Sequence, residues 1–162
     1  MQPKTDFATI HLPDEAATRA LGTSLADLCE SGTAILLYGP LGAGKTSFAQ
    51  ALVAGLGGGE ATSPTFVIAH RHPGGRLPVC HLDLYRLDDD DGARDIDLDH
   101  YVTPDAVAVV EWPERARDYA WPHDRLELHI SISGNARIGR LRGFGKCAAM
   151  VDRVSATKSE IG

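Results

Sequence analysis

A chain of 162 residues has the length of a single domain, and its content of 43% hydrophobic and 23% charged residues is typical of globular proteins. The apolar runs are far shorter than the roughly 18 residues that a membrane-spanning helix needs, so we expect no membrane contact. The formal net charge of -6 argues against a protein that binds nucleic acid by itself, because neutralising phosphates requires a basic surface. We therefore expect any RNA to be reached through a partner.

The termini and the cysteines give no sign of export. Met1 to His11 has neither the basic nor the apolar stretch of a secretory signal, so we expect a cytoplasmic protein. Cys29, Cys80 and Cys147 are odd in number and widely spaced, which is typical of reduced thiols rather than of disulfides or a zinc site.

The first half of the chain predicts a helix, a strand, a glycine loop and a second helix. Apolar residues recur every three or four positions between Pro13 and Glu30, which predicts an amphipathic covering helix. Thr33 to Tyr38 is a short apolar run closed by Gly39, which predicts a buried strand that leads into a glycine loop. Ser47 to Leu56 then has helical spacing and ends before three consecutive glycines.

The second half predicts two hairpins around one more buried strand. Thr65 to His70 and Leu77 to Leu84 are strand-like and are separated by turn-forming residues from His72 onward. Ala106 to Val110 predicts another buried strand. Alternating polar and apolar residues on both sides of a Gly-Asn turn predict a second hairpin, which runs from Arg125 to Phe144.

No linker divides these elements. We assign residues 1–145 to one domain and residues 146–162, where the periodicity fades, to a C-terminal tail. The acidic run Asp88 to Asp91 indicates a solvated loop, and Asp95 to Tyr101 predicts a short helix.

The glycine loop carries the most specific motif of the chain. Gly39 to Thr46, GPLGAGKT, has the spacing of a P-loop, in which backbone N–H groups converge on phosphate. In such a loop Lys45 reaches the terminal phosphates and the Thr46 hydroxyl ligates magnesium. The sequence therefore predicts a site for a nucleoside triphosphate with magnesium. The nucleotide-binding residues predicted in and after the loop are Gly39, Leu41, Gly42, Ala43, Gly44, Lys45, Thr46 and Ser47.

Two carboxylates are candidates to hold magnesium or its waters. Asp83 follows the apolar residues Val79 to Leu82, and Glu111 follows the apolar run Ala106 to Val110. A carboxylate at the carboxyl end of a strand faces the crevice where ligands bind in open α/β sheets. From the residues alone, both candidates stay open.

Histidines and arginines are concentrated in the hairpins. For His70, His72 and His81 we favour solvated or hydrogen-bonded side chains over a metal site. The arginines Arg137, Arg140 and Arg142 indicate either a charged solvent face or a contact for a partner.

The nucleotide is expected to be ATP rather than GTP. A GTPase is expected to carry Asn-Lys-x-Asp for guanine, but Asn135, the only asparagine, is followed by Ala136. A small-molecule kinase with a P-loop remains the alternative function, although it would need an acceptor pocket and a basic lid.

Four segments together resemble the TsaE (YjeE) family of ATPases in bacterial tRNA threonylcarbamoyladenosine synthesis. They are Gly39 to Thr46, Ser63 to Phe66 (SPTF), His81 to Leu87 (HLDLYRL) and Val110 to Glu114 (VEWPE). Their order and spacing also match, from about Leu12 to Ile132. The last three segments are far more specific to the family than the P-loop is.

The resemblance implies an α/β fold with a three-layer, P-loop NTPase-like sheet, flanking helices and β-hairpins. It implies weak ATP hydrolysis with Mg²⁺ and assembly with TsaB and TsaD, which transfer threonylcarbamoyl to adenosine 37 of tRNA. Contact with tRNA would then be indirect, through that complex.

The resemblance also implies roles for individual residues. Thr46 and Glu111 would ligate magnesium, and Asp83 would play the Walker B-like part in hydrolysis, so that Asp83 and Glu111 are the predicted catalytic residues. Trp112 would lie beside the nucleotide. The segment Ser63 to Thr65 would form a switch-like loop near the γ-phosphate, with Thr65 as a nucleotide-binding residue.

Overall fold

A computed structural model of the chain describes residues 7–58, 69–85, 87 and 97–161. The strands are β1 (Ala8–Leu12), β2 (Ala34–Tyr38), β3 (Ala69–His72), β4 (Val79–Asp83), β5 (Val107–Glu111), β6 (Arg125–Ser133) and β7 (Ala136–Phe144). The helices are α1 (Glu15–Leu28), α2 (Lys45–Gly55), α3 (Leu98–Tyr101) and α4 (Ala148–Ile161). Short 3₁₀ turns span Pro113–Arg115 and Gly145–Cys147.

The seven strands form one mixed sheet in the order β1-β7-β6-β2-β5-β4-β3. The four neighbours β6, β2, β5 and β4 run parallel, and antiparallel pairs close both edges. Glu111 at the end of β5 lies in register with Leu37 of β2 on one side and with Asp83 of β4 on the other. The carboxyl ends of the central strands therefore meet at one edge of the sheet, where ligands bind in open α/β folds.

Alternate residues of β2 pack into two hydrophobic cores, one on each face of the sheet. Ile35 and Leu37 pack with residues of α1, α2 and α4, whereas Ala34 and Leu36 pack on the other face with Leu98 of α3. These four side chains are fully buried. Because both faces are covered, the strand is apolar throughout. The sheet is the middle of three layers, which confirms the predicted α/β class.

Helix α1 begins at a capping aspartate and packs closely against α2. The Asp14 carboxylate accepts a hydrogen bond from the Ala17 amide at 2.8 Å, which caps the start of α1. A side-chain carbon at Gly22 would lie 2.7 Å from the Phe48 carbonyl oxygen, so only glycine permits this approach. Helix α2 therefore packs directly against the backbone of α1.

The structure departs from the sequence-based expectations at three places. Strand β1 was not predicted, and its pairing with β7 is long-range. Most of the segment 146–162, predicted as a tail, forms α4, which buries Met150 and Val154. His72 was placed in a turn, but it pairs with Val79 as the last residue of β3. The predicted acidic loop Asp88 to Asp91 lies outside the described residues.

Nothing in the helices of the described ranges suggests a membrane span. None of them is both long and apolar enough to cross a lipid bilayer.

Candidate functional site

The loop between β2 and α2 has the backbone shape that anion binding requires. Gly42 and Gly44 have φ angles of 79° and 108°, a left-handed region in which a side chain is strained. Gly44 is the residue immediately before α2. The first N–H groups of a helix have no partner inside it, and its N-terminal end is partially positive. The positive end of α2 and the first N–H groups of this helix therefore lie at the loop.

Lys45, the first residue of α2, is held inside this loop. Lys45 is 5% exposed. Its ammonium donates hydrogen bonds to the carbonyl oxygen of Gly39 and, at 3.3 Å, to that of Pro40. The same ammonium lies 3.6 Å from the centroid of the Trp112 ring, a cation–π contact. The lysine is therefore a buried positive charge at the loop.

Two opposing influences act on the charge of Lys45. Burial is the larger and lowers the pKa of this ammonium. Nearby carboxylates act in the opposite direction and favour the charged form, namely those of Glu111, Glu114 and Asp83. A phosphate group beside Lys45 would add negative charge and stabilise the ammonium further.

Glu111 receives hydrogen bonds on both of its carboxylate oxygens. The Thr46 hydroxyl donates to Oε1 at 2.7 Å, and Nε2 of His81 lies 2.6 Å from Oε2. Glu111 is 2% exposed and His81 is fully buried. Glu111 therefore connects the start of α2 with strand β4.

Asp83 lies beside this group without touching Thr46. Its carboxylate is half-buried and accepts a hydrogen bond from the Tyr85 amide at 3.1 Å. Burial, and then the negative charge of Glu111, raise the pKa of Asp83. The two acids thus occupy the ends of adjacent parallel strands in different environments.

Two cavities flank the loop. The larger, about 280 Å³, is lined by residues 41–47 together with Asp83, Tyr85, Glu111 and Trp112. The smaller, about 170 Å³, lies on the other side of the loop, and Asp14, Thr18, Asn135 and Arg137 are among its lining residues. A third cavity, about 390 Å³, is at the opposite end of β4 and β5, away from the loop.

The oxygen atoms at the larger cavity suit magnesium. Thr46 Oγ1 and Glu111 Oε1 converge to 2.7 Å, and Mg²⁺ prefers hydroxyl, carboxylate, phosphate and water oxygens. Within the described parts of the chain, no group of three His, Cys, Asp or Glu side chains is arranged to hold a metal ion. An ion here would therefore draw its other ligands from phosphate and water.

Comparison with known proteins identifies the family. The family described as "Threonylcarbamoyl adenosine biosynthesis protein TsaE" matches residues 12–140, well over half of the chain. The chain belongs to the TsaE family. The match spans the glycine loop, both acids and Trp112.

Individual TsaE proteins are similar over most of their length. The TsaE of Streptomyces coelicolor is 47% identical over 116 residues, which cover 69% of this chain and 77% of the relative. The TsaE of Bacillus subtilis is 36% identical over 76% of this chain and 75% of its own. Both bear the name tRNA threonylcarbamoyladenosine biosynthesis protein. The crystal structure of Bacillus subtilis YdiB has a TM-score of 0.77 at 26% identity and covers 98% of this chain and 99% of that one.

The structure brings together most of the residues that the sequence singled out. Lys45, Thr46, Asp83, Glu111 and Trp112 all line the larger cavity. Of the two acids, Glu111 is the one in contact with Thr46. Their assigned roles in binding and hydrolysis stay predictions.

One predicted site segment lies outside this description. Ser63 to Phe66, with the switch candidate Thr65, is not among the described residues. Its predicted place near the γ-phosphate therefore stays a prediction.

Two contacts of the site were not predicted from the sequence. The sequence predicts His81 only as one of three solvated or hydrogen-bonded histidines, whereas the structure buries it fully against Glu111. Its position two residues before Asp83, on the same face of β4, was the available signal. Arg137 donates to the Gly42 carbonyl at 3.1 Å, and this contact between β7 and the loop has no local signature.

Proposed function

We propose that the chain is an ATP-binding, weakly hydrolysing P-loop ATPase that supports threonylcarbamoyl transfer to adenosine 37 of tRNA together with TsaB and TsaD. The names of its relatives support the pathway. The proposal that the chain binds and hydrolyses ATP rests on the chemistry of the glycine loop and its surroundings.

The convergence of Lys45, Thr46 and Glu111 at one cavity is the observation that carries the proposal. The loop amides and the Lys45 ammonium would bind the phosphates, with Lys45 exchanging the carbonyls of Gly39 and Pro40 for phosphate oxygens. Thr46 and Glu111 would hold magnesium, which when bound neutralises charge on the phosphates. A lysine already desolvated at this position interacts strongly with an anion, because little water remains to be displaced.

Asp83 is the group best placed to act on water. It lines the same cavity but makes no hydrogen bond to Thr46. Burial raises the pKa of its carboxyl group, which makes the carboxylate a better proton acceptor. We assign Asp83 to orienting the attacking water, as its family resemblance implies. Glu111, engaged by Thr46 and His81, is better suited to holding the cation.

Slow turnover follows from the charges around the larger cavity. Among the described residues that line it, Lys45 is the single cation, whereas fast NTPases add an arginine that stabilises the transition state. Hydrolysis is therefore expected to be well below the median enzyme turnover of about 10 s⁻¹. A partner that completes the site could change this.

The smaller cavity is the proposed place for the nucleoside end of ATP. It adjoins the loop on the side away from Asp83 and offers the polar groups of Thr18, Asn135 and Arg137. Arg137 is already anchored to the loop through the Gly42 carbonyl. A nucleotide could therefore extend from one cavity to the other across the loop.

A reconstituted modification reaction tests the proposal. TsaB, TsaD, tRNA and a threonylcarbamoyl donor are combined with the wild-type chain or with Lys45→Ala, and modified adenosine is measured over repeated cycles. Sustained modification is expected only with the wild-type chain and ATP. TsaB and TsaD should change the affinity of the chain for ATP, and ATP should change its affinity for TsaB and TsaD by the same factor, because coupling between sites is reciprocal.

A phosphoryl-transfer screen against nucleosides and shikimate-like acceptors, run beside that reaction, addresses the small-molecule kinase. Membership of the TsaE family argues against that alternative. Rapid formation of a phosphorylated nucleoside or shikimate-like acceptor, together with unchanged ATP affinity in the presence of the partners, would replace the ATPase proposal with the kinase.

A further inference from the structure

His81 is a fully buried side chain whose one described hydrogen bond goes to Glu111. Its Nε2 lies 2.6 Å from Glu111 Oε2, while the other oxygen, Oε1, receives the Thr46 hydroxyl. His81 and Asp83 lie on the same face of β4, the face that α2 covers. The two oxygens of one carboxylate are thus held by two different elements of the fold.

Stability does not account for a histidine at this position. Nδ1 of His81 is buried and has no hydrogen-bond partner among the described residues, which costs free energy. A buried pair of polar, ionisable groups is often no more stable than apolar residues of the same volume. Val79, on the same face of the same strand, shows that an apolar side chain fits this core.

The freedom of the Glu111 side chain explains the histidine better than stability does. Glu111 has three rotatable side-chain bonds, and the Lys45 ammonium is close enough for their charges to interact. A freely rotating Glu111 could therefore turn toward Lys45 and pair with it. A donor fixed on Oε2 prevents this and leaves Oε1 directed at Thr46.

We propose that His81 is a positioning residue that holds Glu111 Oε2, so that Oε1 is presented to magnesium beside Thr46. This inference rests on the proposed function, since it assigns a task at the same site. The donor is the Nε2–H group, which points at a carboxylate that can only accept. Outer groups that fix a ligand in this way typically contribute 10- to 100-fold to metal affinity.

Three substitutions of His81 test whether the hydrogen-bond donor at Nε2 matters or only the size of the side chain. His81→Gln places an amide N–H near the position of Nε2, His81→Asn places it near Nδ1, and His81→Leu removes it. Calorimetry gives the ATP affinity of each variant in EDTA and in magnesium, and the ratio of the two is the magnesium-dependent gain. Thermal unfolding shows whether each variant is folded.

A positioning role for His81 predicts a specific pattern of magnesium-dependent gain among the three variants. His81→Gln should keep most of the magnesium-dependent gain, whereas His81→Asn and His81→Leu should lose at least about tenfold of it. Affinity in EDTA should change much less than the magnesium-dependent gain, because the loop amides that bind phosphate are unaltered. His70→Leu is the matched control, since His70 pairs with His81 across β3 and β4 and should leave the gain unchanged.

Three outcomes would overturn the inference. It fails if folded His81→Asn and His81→Leu keep the wild-type gain, or if His81→Gln loses as much as His81→Leu. A measurement on the wild-type chain covers the case of variants that do not fold. Long-range ¹H–¹⁵N spectra of its magnesium–ADP complex should show the His81 proton on Nε2, and a bare Nε2 would contradict the proposal. If the wild-type chain shows no magnesium-dependent gain at all, the proposed function itself fails.

Discussion

The ammonium of Lys45 lies 3.6 Å from the centroid of the Trp112 ring, although 67 positions separate the two residues in the chain. Trp112 has φ 59° and ψ 48°, and it is the one non-glycine among the described residues with a positive φ. Such a backbone conformation is costly for a bulky residue and is concentrated at functional sites. Because Trp112 directly follows Glu111, one turn of the chain presents both a carboxylate to Thr46 and a ring to Lys45.

Trp112 should report nucleotide binding. In a Trp121→Phe background, ATP should draw the Lys45 ammonium from the ring to the phosphates and so change the emission of Trp112. The same titration of Trp112→Phe, which leaves Trp121 as the only indole, is the control and should give little change. Emission that stays constant while calorimetry records ATP binding would show that Lys45 does not leave the ring.

The two acids should differ in what they control. Glu111→Ala should weaken ATP binding in magnesium, because the variant lacks a ligand oxygen beside Thr46. Asp83→Ala should lower turnover more than affinity, because Asp83 is assigned to water. Steady-state hydrolysis and calorimetry on both variants check this. Wild-type turnover in both would refute the assignment of the carboxylates.

The sequence predicted those parts of the fold and site that have a local signature. GPLGAGKT gave the loop, and the apolar runs before Asp83 and Glu111 gave two strand ends with acids on them. Choosing between the acids needed the register of β2, β5 and β4, which places Glu111 in contact with Thr46. Helix α4 was missed because its buried apolar residues among those described, Met150, Val151 and Val154, span little more than one helical turn. Pairing of distant segments, as between β1 and β7, leaves little trace in either segment alone.

Glu127 should stabilise the fold in a pH-dependent way. Burial alone raises the pKa of Glu127, but its neighbours His129, Arg142 and Arg125 outweigh burial and lower it from the usual 4.5 to about 2. A carboxylate with a lowered pKa contributes stability above pH 4.5, and the contribution is lost as pH falls toward about 2. Glu127→Gln should therefore lower the free energy of unfolding at pH 7 by on the order of 2 kcal/mol.

Denaturation of Glu127→Gln as a function of pH provides the check. Its deficit relative to the wild-type chain should shrink between about pH 4.5 and about pH 2. Asp27→Asn, which removes the same charge from an exposed position on α1, is the control and should have a small effect. A deficit that is constant over this range would assign the loss to packing instead of ionisation.

The three thiols should be inert in the folded chain. Burial raises the pKa of Cys29 and Cys147 to about 12 and that of Cys80 to about 11, and only thiolates react rapidly. A thiol reagent at pH 8 should therefore label none of them quickly until denaturant is added, and should then label all three. Rapid labelling of one cysteine in the native chain would show that its surroundings open locally.

The central claim is that this chain binds magnesium–ATP through the glycine loop and Lys45, and calorimetric titration of Lys45→Ala tests it most directly. The wild-type chain should bind ATP more tightly with magnesium than without it. Lys45→Ala should bind at least about tenfold more weakly, a loss of roughly 1.4 kcal/mol, with an unfolding profile that still shows a folded protein. Lys146→Ala, which alters an exposed lysine in a 3₁₀ turn, should bind as the wild-type chain does. Equal affinity of the wild-type chain and Lys45→Ala for magnesium–ATP would contradict the account.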